Sequence, residues 1–252
     1  MNLSCVTYAD EPALKDMIFD AVKRHAWPEF MFHDPVAGRL WGHLEDDFAE
    51  YQFVLKDDAG ALVAVGHTLP FFWEEGRELP DDGWDAMFER AVETLRAGWT
   101  PNMISAVEAS VHPAYRGKGV SRRVLMEMRA IAELRGFTTL VAPVRPSQKA
   151  LYPLIPMLHY IGWTNDKGEP FDAWLRTHWR LGATIEKVAP RSMLIEAPVA
   201  DWERWTGLPM PESGAYAIAG ALTPLIVDRD SDCAQYIEPN VWMRHAIGTQ
   251  DR

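Results

Sequence analysis

The sequence is poor in cysteine, since only Cys5 and Cys233 occur among its 252 residues. Two cysteines this far apart are too few for a disulfide framework or a cysteine-ligated zinc site, so we expect a protein of the reducing cytoplasm. Long apolar runs are also missing. The most apolar late stretch, 215–227, contains a proline and is shorter than the roughly 20 residues that cross a bilayer. With no exported signal at the N-terminus, we expect no membrane association.

Basic residues are scarce relative to acids: 25 Lys and Arg stand against 36 Asp and Glu, which gives a formal net charge of −11. This charge opposes nonspecific binding to a phosphate backbone, so we expect no nucleic acid partner. It favours the approach of cationic small molecules. The histidines and acids between positions 25 and 45 match no metal-ligand spacing, so we predict no metal site.

Repeats and low-complexity linkers are absent as well, which predicts one domain over residues 1–252. Apolar spacing then indicates the early elements. In chain order these are a strand at 3–8, a helix that Asp10 caps and that runs to about 23, a helix over 36–48, a hairpin of 51–56 and 61–68, an acidic loop over 74–85, and a helix over 84–96.

The centre of the chain has the pattern of a strand at 104–111, a turn over 112–119, a helix over 121–135 closed by Gly136, and a strand over 138–142 that ends at Pro143. A strand, helix and strand in this order predict a right-handed crossover and parallel pairing of the two strands. We therefore expect an α/β or α+β sheet.

The turn before the central helix carries two glycines among basic residues, in the order Arg116, Gly117, Lys118, Gly119, Val120, Ser121. Amide N–H groups at the start of a helix lack intrahelical partners, and the helix dipole favours an anion there. The segment therefore fits a diphosphate. A tight turn with solvated basic side chains is the alternative interpretation.

The stretch 111–121 resembles the central motif of the GNAT superfamily of N-acetyltransferases, Q/R-x-x-G-x-G/A between a valine-ending strand and a long helix. The resemblance implies a mixed, mostly antiparallel twisted sheet flanked by helices. It also implies that backbone amides across 116–121 hold the pyrophosphate of acetyl-CoA or another acyl-CoA, and that Val111 offers main-chain contacts to the pantetheine arm. Ser121 departs from the family's usual Gly or Ala.

The order of elements from 3 to 196 matches the succession of strands and helices in this superfamily. On that topology 71–101 and 143–171 are insertions that flank the site, and the C-terminal part, 197–252, contains candidate strands at 221–227 and 236–245. Members commonly use a tyrosine four residues before the glycine that ends the helix after the parallel strand. Tyr152 is followed by prolines, so 172–182 is the better match for that helix.

Acyl transfer to an amine needs a base for the ammonium and a proton for the departing thiolate. Glu108, in the central strand, is the candidate base, and we expect its apolar neighbourhood to raise its pKa. His178 stands where the family's tyrosine is expected and is the candidate acid. Alternatively, Glu108 pairs with an arginine or faces solvent, and His178 packs on a helix surface.

We therefore predict an acyl-CoA-dependent N-acyltransferase that moves an acetyl or other acyl group to a small-molecule amine by direct attack in a ternary complex. Two alternatives stay open at this point. One is an acyltransferase that uses a carrier-protein or aminoacyl-tRNA donor, and the other is a non-catalytic acyl-CoA-binding module. A homodimer is compatible with the sequence.

Overall fold

The computed structural model describes residues 2–248, which form nine strands and seven α-helices. A 3-10 turn at Lys23–His25 follows the first helix. The elements are β1 (Ser4–Thr7), α1 (Leu14–Ala21), α2 (Pro35–Asp46), β2 (Gln52–Lys56), β3 (Leu62–Phe71), α3 (Gly83–Ala97), β4 (Met103–Val111), α4 (Val120–Leu134), β5 (Thr139–Val144), α5 (Met157–Tyr160), α6 (Ala173–Arg180), β6 (Thr184–Ala197), α7 (Val199–Thr206), β7 (Gly214–Tyr216), β8 (Leu225–Asp228) and β9 (Cys233–Ala246).

All the strands belong to one nine-stranded sheet in which β1 to β5 lie in chain order and β9 follows β5. The long strand β9 pairs along one edge with β6, and its opposite edge is shared by β5 and β8. Only β4 and β5 are parallel, and every other pairing is antiparallel. The predicted mixed, mostly antiparallel sheet is therefore confirmed, and the pairings include the strands predicted near the C-terminus.

Alternate residues of the strands point to opposite faces of the sheet and build two apolar layers. In β2, Val54 packs with α1, whereas its neighbour Phe53 packs with α4. In β5, Val141 joins the core shared with α2 and α3, whereas Leu140 and Ala142 join the core under α4 and α6. Each Val or Leu buried in this way stabilises the fold by about 1.5–3 kcal/mol.

The parallel pair β4–β5 is hydrogen-bonded over a short distance only. Ile104 lies opposite Leu140 and Ser105 opposite Val141, and no pairing of these strands continues beyond them. From there β4 pairs with β3 alone and β5 with β9 alone. The two strands therefore part, and a gap opens in the middle of the sheet.

This gap explains why the prediction that β5 ends at Pro143 was wrong. Pro143 lies inside the strand, opposite Trp242 of β9, and β5 continues to Val144. A proline has no N–H to donate to a neighbouring strand and therefore disrupts a central strand. It is tolerated where one neighbouring strand is absent. Because β4 has parted from β5 at this level, Pro143 lies on a local edge.

Asp10 does not cap α1 as predicted. It accepts a hydrogen bond from Thr7 Oγ1 at 2.6 Å instead, and the helix begins at Leu14. Of the apolar residues of α1, Met17 is 55% exposed, whereas Leu14 and Ile18 are buried. In α2, by contrast, the side chain of Asp34 accepts from the backbone N–H of Ala37 and begins the helix as an N-cap residue. No helix within residues 2–248 is long and apolar enough to span a membrane.

Candidate active site

A cavity of about 960 Å³ occupies the gap between β4 and β5. Its walls include residues 106–111 of β4, 142–145 at the end of β5, the start of α4, and side chains from α1, α2 and α6. Most of the predicted site residues border it, namely Glu108, Val111, Arg116, Gly117, Val120, Ser121 and His178. Lys118 and Gly119 are not part of its wall.

The turn into α4 lies where the sequence predicted a turn. Gly117 and Gly119 have φ values of +73° and +78°, in the region where residues with a Cβ are strained. A Cβ at either glycine would meet nothing within 4 Å, so the conformation rather than crowding accounts for both residues. No side chain caps α4, including Ser121, so the first amide N–H groups of the helix are available to an anion.

The basic side chains near this turn have different surroundings. Arg116 Nη2 donates to the carbonyl of His25 at 3.2 Å, which anchors the turn to the segment after α1. The ammonium of Lys118 lies 5.3 Å from the centroid of the Tyr115 ring. Arg123 is paired with Glu127 one turn further along α4. The wall of the cavity at this end therefore combines Arg116 with main-chain donors.

Glu108 lies at a β-bulge of β4 and is 8% exposed. His67 of β3 pairs with Glu108, and the next residue, Thr68, pairs with Ala106, so Val107 has no partner on β3. The carbonyl of Val107 accepts a hydrogen bond from Trp84 Nε1 at 2.8 Å instead. Glu108 is thereby placed directly opposite His67, so both side chains project from the same face of the sheet. The bulge thus sets the direction of the carboxylate.

The carboxylate of Glu108 is surrounded by polar groups rather than by apolar ones. Its Oε1 accepts hydrogen bonds from Ser110 Oγ at 2.7 Å and from Trp27 Nε1 at 3.2 Å. Its Oε2 lies 3.3 Å from Lys23 Nζ and 3.6 Å from His67 Nε2. Lys23, Trp27 and His67 were missed in the sequence because they come from distant segments with no shared motif.

This environment corrects the expectation that burial raises the pKa of Glu108. Burial does act in that direction, but the charge of Lys23, the ring of His67 and the hydrogen bond from Ser110 outweigh it, and the pKa of Glu108 is lowered from its ordinary value. The carboxylate is therefore ionised at neutral pH and is a weaker base than predicted.

The ring of His67 has a defined proton. Gln52 Nε2 donates to the carbonyls of Phe48 and Thr68, so its Oε1 must accept, and it accepts from His67 Nδ1 at 3.1 Å. Burial is the main reason that the pKa of His67 is lowered to about 3. His67 is therefore neutral, and the lone pair of its Nε2 faces Glu108.

His178 is 1% exposed and forms part of the cavity wall from the side of α6. The predicted helix is confirmed, with Asp172 as its N-cap residue. The His178 ring packs against Trp174, at 4.4 Å between ring centroids, and its Nδ1 lies 3.0 Å from Nε2 of His245 in β9. Burial, followed by the nearby His245, lowers the pKa of His178 well below its ordinary value. His178 is therefore neutral.

Further carboxylates line the cavity. Glu238 of β9 accepts from Arg145 Nε at 2.8 Å and from Tyr236 Oη at 2.7 Å, so its charge is paired. Glu45 of α2 accepts from Trp41 Nε1 at 2.8 Å and forms no ion pair within residues 2–248. In the same part of the chain, no cluster of three His, Cys, Asp or Glu side chains is close enough to hold a metal ion.

A mixed sheet that parts at its parallel pair, with an uncapped helix N-terminus at one end of the gap, agrees with the class of acyl-CoA-dependent N-acyltransferases predicted from the sequence. The arginine N-acetyltransferase avaD of Aspergillus versicolor is 34% identical over 273 aligned positions, which cover 97% of this chain and 94% of that protein. The loading GNATL domain of CurA from Lyngbya majuscula has a TM-score of 0.58 at 18% identity, covering 97% of this chain and 96% of that domain. No family model matches the chain.

The chain belongs to the GNAT superfamily of N-acetyltransferases. The predicted enzyme class and its acyl-CoA co-substrate are confirmed. A carrier-protein or aminoacyl-tRNA donor and a non-catalytic binding module are not favoured, because the relative that matches almost the whole chain is an N-acetyltransferase.

Proposed function

We propose that this protein transfers the acetyl group of acetyl-CoA to a nitrogen of arginine or of a small molecule that contains arginine. The observation that carries the proposal is the continuous cavity between β4 and β5, which has main-chain anion donors at the start of α4 and buried carboxylates further along its wall. The similarity to an arginine N-acetyltransferase over nearly the whole chain supports this acceptor.

At the donor end, the pyrophosphate of CoA binds the amide N–H groups of residues 116–121, with the guanidinium of Arg116 beside them. Val111, the last residue of β4, gives main-chain contacts to the pantetheine arm. These assignments are supported by the left-handed glycines and by the absence of a side-chain cap on α4. The thioester then reaches the level of Glu108 in the gap.

At the acceptor end, we assign the binding of the cationic group to Glu45. Of the carboxylates that border the cavity, Glu108 is paired with Lys23 and Glu238 with Arg145. Glu45 accepts a hydrogen bond from Trp41, and its charge also acts on Lys15, whose ion pair is with Asp46. A guanidinium matches a carboxylate with parallel hydrogen bonds. The net charge of −11 also favours the approach of a cation.

In the reaction, the acceptor nitrogen forms a bond to the thioester carbon and the carbon–sulfur bond breaks. The nitrogen loses a proton, and the sulfur gains one as CoA leaves. Glu108 receives the proton from nitrogen, and the unprotonated Nε2 of His67 lies 3.6 Å from its Oε2. We assign His178, on the α6 side of the cavity, to interact with the thioester group as CoA leaves. No covalent enzyme intermediate is needed.

The test is acceptor-dependent release of CoA from acetyl-CoA, with the product identified by mass spectrometry. We expect acetylated arginine and no product from citrulline, which has nearly the same shape but an uncharged side chain. Glu45→Gln should raise KM for arginine about tenfold, the loss expected for one charge-assisted hydrogen bond. Equal rates with arginine and citrulline, or an unchanged KM in the variant, would contradict the acceptor assignment.

Other features of the proposal rest on the sequence alone. We place the protein in the cytoplasm because its two cysteines are few and far apart. We treat residues 1–252 as one acyltransferase domain with insertions at about 71–101 and 143–171, and we keep a homodimer as a prediction. Gel filtration of the purified protein checks the homodimer.

A further inference from the structure

A row of hydrogen-bonding side chains leads from α4 through β9 to the cavity. Arg129 Nη1 lies 3.1 Å from Nδ1 of His245, and His245 Nε2 lies 3.0 Å from Nδ1 of His178. The remaining ring nitrogen, Nε2 of His178, is buried and has no hydrogen-bond partner within the described residues. The row therefore ends on the residue that forms the α6 wall of the cavity.

The guanidinium of Arg129 determines which ring nitrogens of His245 and His178 carry a proton. A guanidinium only donates, so Nδ1 of His245 accepts and its proton is on Nε2. That N–H donates to Nδ1 of His178, and the single proton of a neutral His178 is then on Nε2. The carbonyl of Leu181 also lies near His245 and would favour a proton on Nδ1. Arg129 Nη1 donates to the same carbonyl at 3.3 Å, so a proton on Nδ1 would face a positive N–H group.

We propose that Arg129 and His245 are positioning residues that hold His178 as a neutral imidazole whose Nε2–H donates a hydrogen bond to the thioester during acyl transfer. His178 is then a fixed donor to the developing charge on the thioester, and it is not the general acid expected from the sequence. The inference rests on the proposed function, because the thioester must lie beside His178.

The electrostatics agree with this arrangement. Burial is the first cause that lowers the pKa of both histidines, that of His245 to about 4 and that of His178 well below its ordinary value. Within residues 2–248, the charged group that faces the pair is Arg129, and the two rings face each other. Both rings therefore stay neutral at the pH values at which an amine reacts.

A neutral imidazole cannot complete the transfer of its proton, because an imidazolate with no compensating charge would remain. The proton that reaches sulfur comes instead from the attacking nitrogen, directly or through Glu108 and water. One N–H bond is lost, one S–H bond forms, and His178 keeps its proton throughout. The hydrogen bond from Nε2 stabilises the negative charge that develops on oxygen or sulfur between those events.

Nitrogen-15 NMR of the histidine rings in the complete wild-type protein tests the row without reference to activity. We expect His178 to show a protonated Nε2 and an unprotonated Nδ1, unchanged from pH 5.5 to 8.5. A proton on Nδ1, or titration of the ring in that range, would overturn the proposal. An inactive protein with the expected spectrum would instead locate the failure in the proposed function.

Kinetics of matched variants test whether the hydrogen bond donated by His178 Nε2–H takes part in the reaction. His245→Leu removes the donor to His178 and should lower kcat about tenfold, the loss of one hydrogen bond, with KM for acetyl-CoA unchanged. His245→Gln can accept from Arg129 and donate to His178, so it should recover most of that loss. His178→Phe should lower kcat about 100-fold. If Gln and Leu at position 245 give equal rates, or if His178→Phe keeps the wild-type kcat, the donor role is wrong.

Discussion

Lys23→Met is the substitution that most directly tests the charge balance around Glu108. Lys23 is 8% exposed, its ammonium lies 3.3 Å from Glu108 Oε2, and it also lies 3.6 Å from the centroid of the Trp41 ring. Removing one member of a buried ion pair leaves the other charge buried without compensation, which costs about 3–5 kcal/mol. We expect Lys23→Met to lose that amount of unfolding free energy at pH 8.

The loss should depend on pH in a defined direction. In the wild type the folded pKa of Glu108 lies below its unfolded value of about 4.5, so its stabilisation is present above that pH and is lost as the pH falls through the folded pKa. Once the charge of Lys23 is removed, the effect of burial becomes dominant and raises the pKa of Glu108. The variant then takes up a proton, on Glu108 or on the facing His67, as the pH falls from 8 towards 5. The difference in stability from the wild type should narrow over the same range.

Urea unfolding at pH 8 and pH 5 measures both effects, and Glu108→Gln completes a double-mutant cycle. Because Gln carries no charge, the double variant should be more stable than Lys23→Met alone at pH 8. Lys15→Met removes an exposed pair with Asp46 and is the control, for which we expect little change at either pH. Additive losses in the cycle at pH 8, or a loss for Lys23→Met that does not narrow at pH 5, would refute the assignment.

Other substitutions test the cofactor turn and the titrating groups. Gly119→Ala should cost about 1 kcal/mol of stability because φ is +78°, and it should weaken acetyl-CoA binding measured by calorimetry. The control is Gly136→Ala, which has the same φ at the other end of α4. It should cost the same stability and leave acetyl-CoA binding unchanged. The folded pKa of His245, about 4, lies below its unfolded value near 6.5, so acid destabilises the wild type. Between about pH 6 and 4.5 it should lose about 1.4 kcal/mol per pH unit relative to His245→Gln in urea unfolding, and parallel curves would contradict this. Because the pKa of Glu108 is lowered, its titration should not reduce kcat/KM near pH 6. Glu108→Gln should lower kcat/KM about 100-fold or more. A wild-type kcat/KM in that variant would exclude Glu108 as the base.

The local pattern of residues predicted the elements that build the site. The valine-ending strand, the glycines at positions 117 and 119 and the helix after them lie as expected, because φ preference and helix-start chemistry act over a few residues. The helix that carries His178 likewise lies within the predicted range 172–182, with Asp172 as its N-cap residue. Short-range signals of this kind need no tertiary information.

The surroundings of the candidate catalytic groups were not predictable in the same way. Glu108 was expected among apolar residues because its neighbours in sequence are apolar, but its partners Lys23 and His67 come from the segment after α1 and from β3. His245 meets His178 only because β9 lies beside β5 and under α6. Long-range pairings decide these contacts, and a single sequence gives no register for them.

Because β4 and β5 part, the main chains of both strands border the cavity on the sides that face each other. In the binding mode that we propose, main-chain atoms, which every residue possesses, hold the coenzyme. The side chains that project into the same space are then free to vary with the molecule to be acetylated. We therefore expect donor binding and acceptor choice to be separable by mutation: exchanging Glu45 in the wall should change which amine is accepted while acetyl-CoA binding persists.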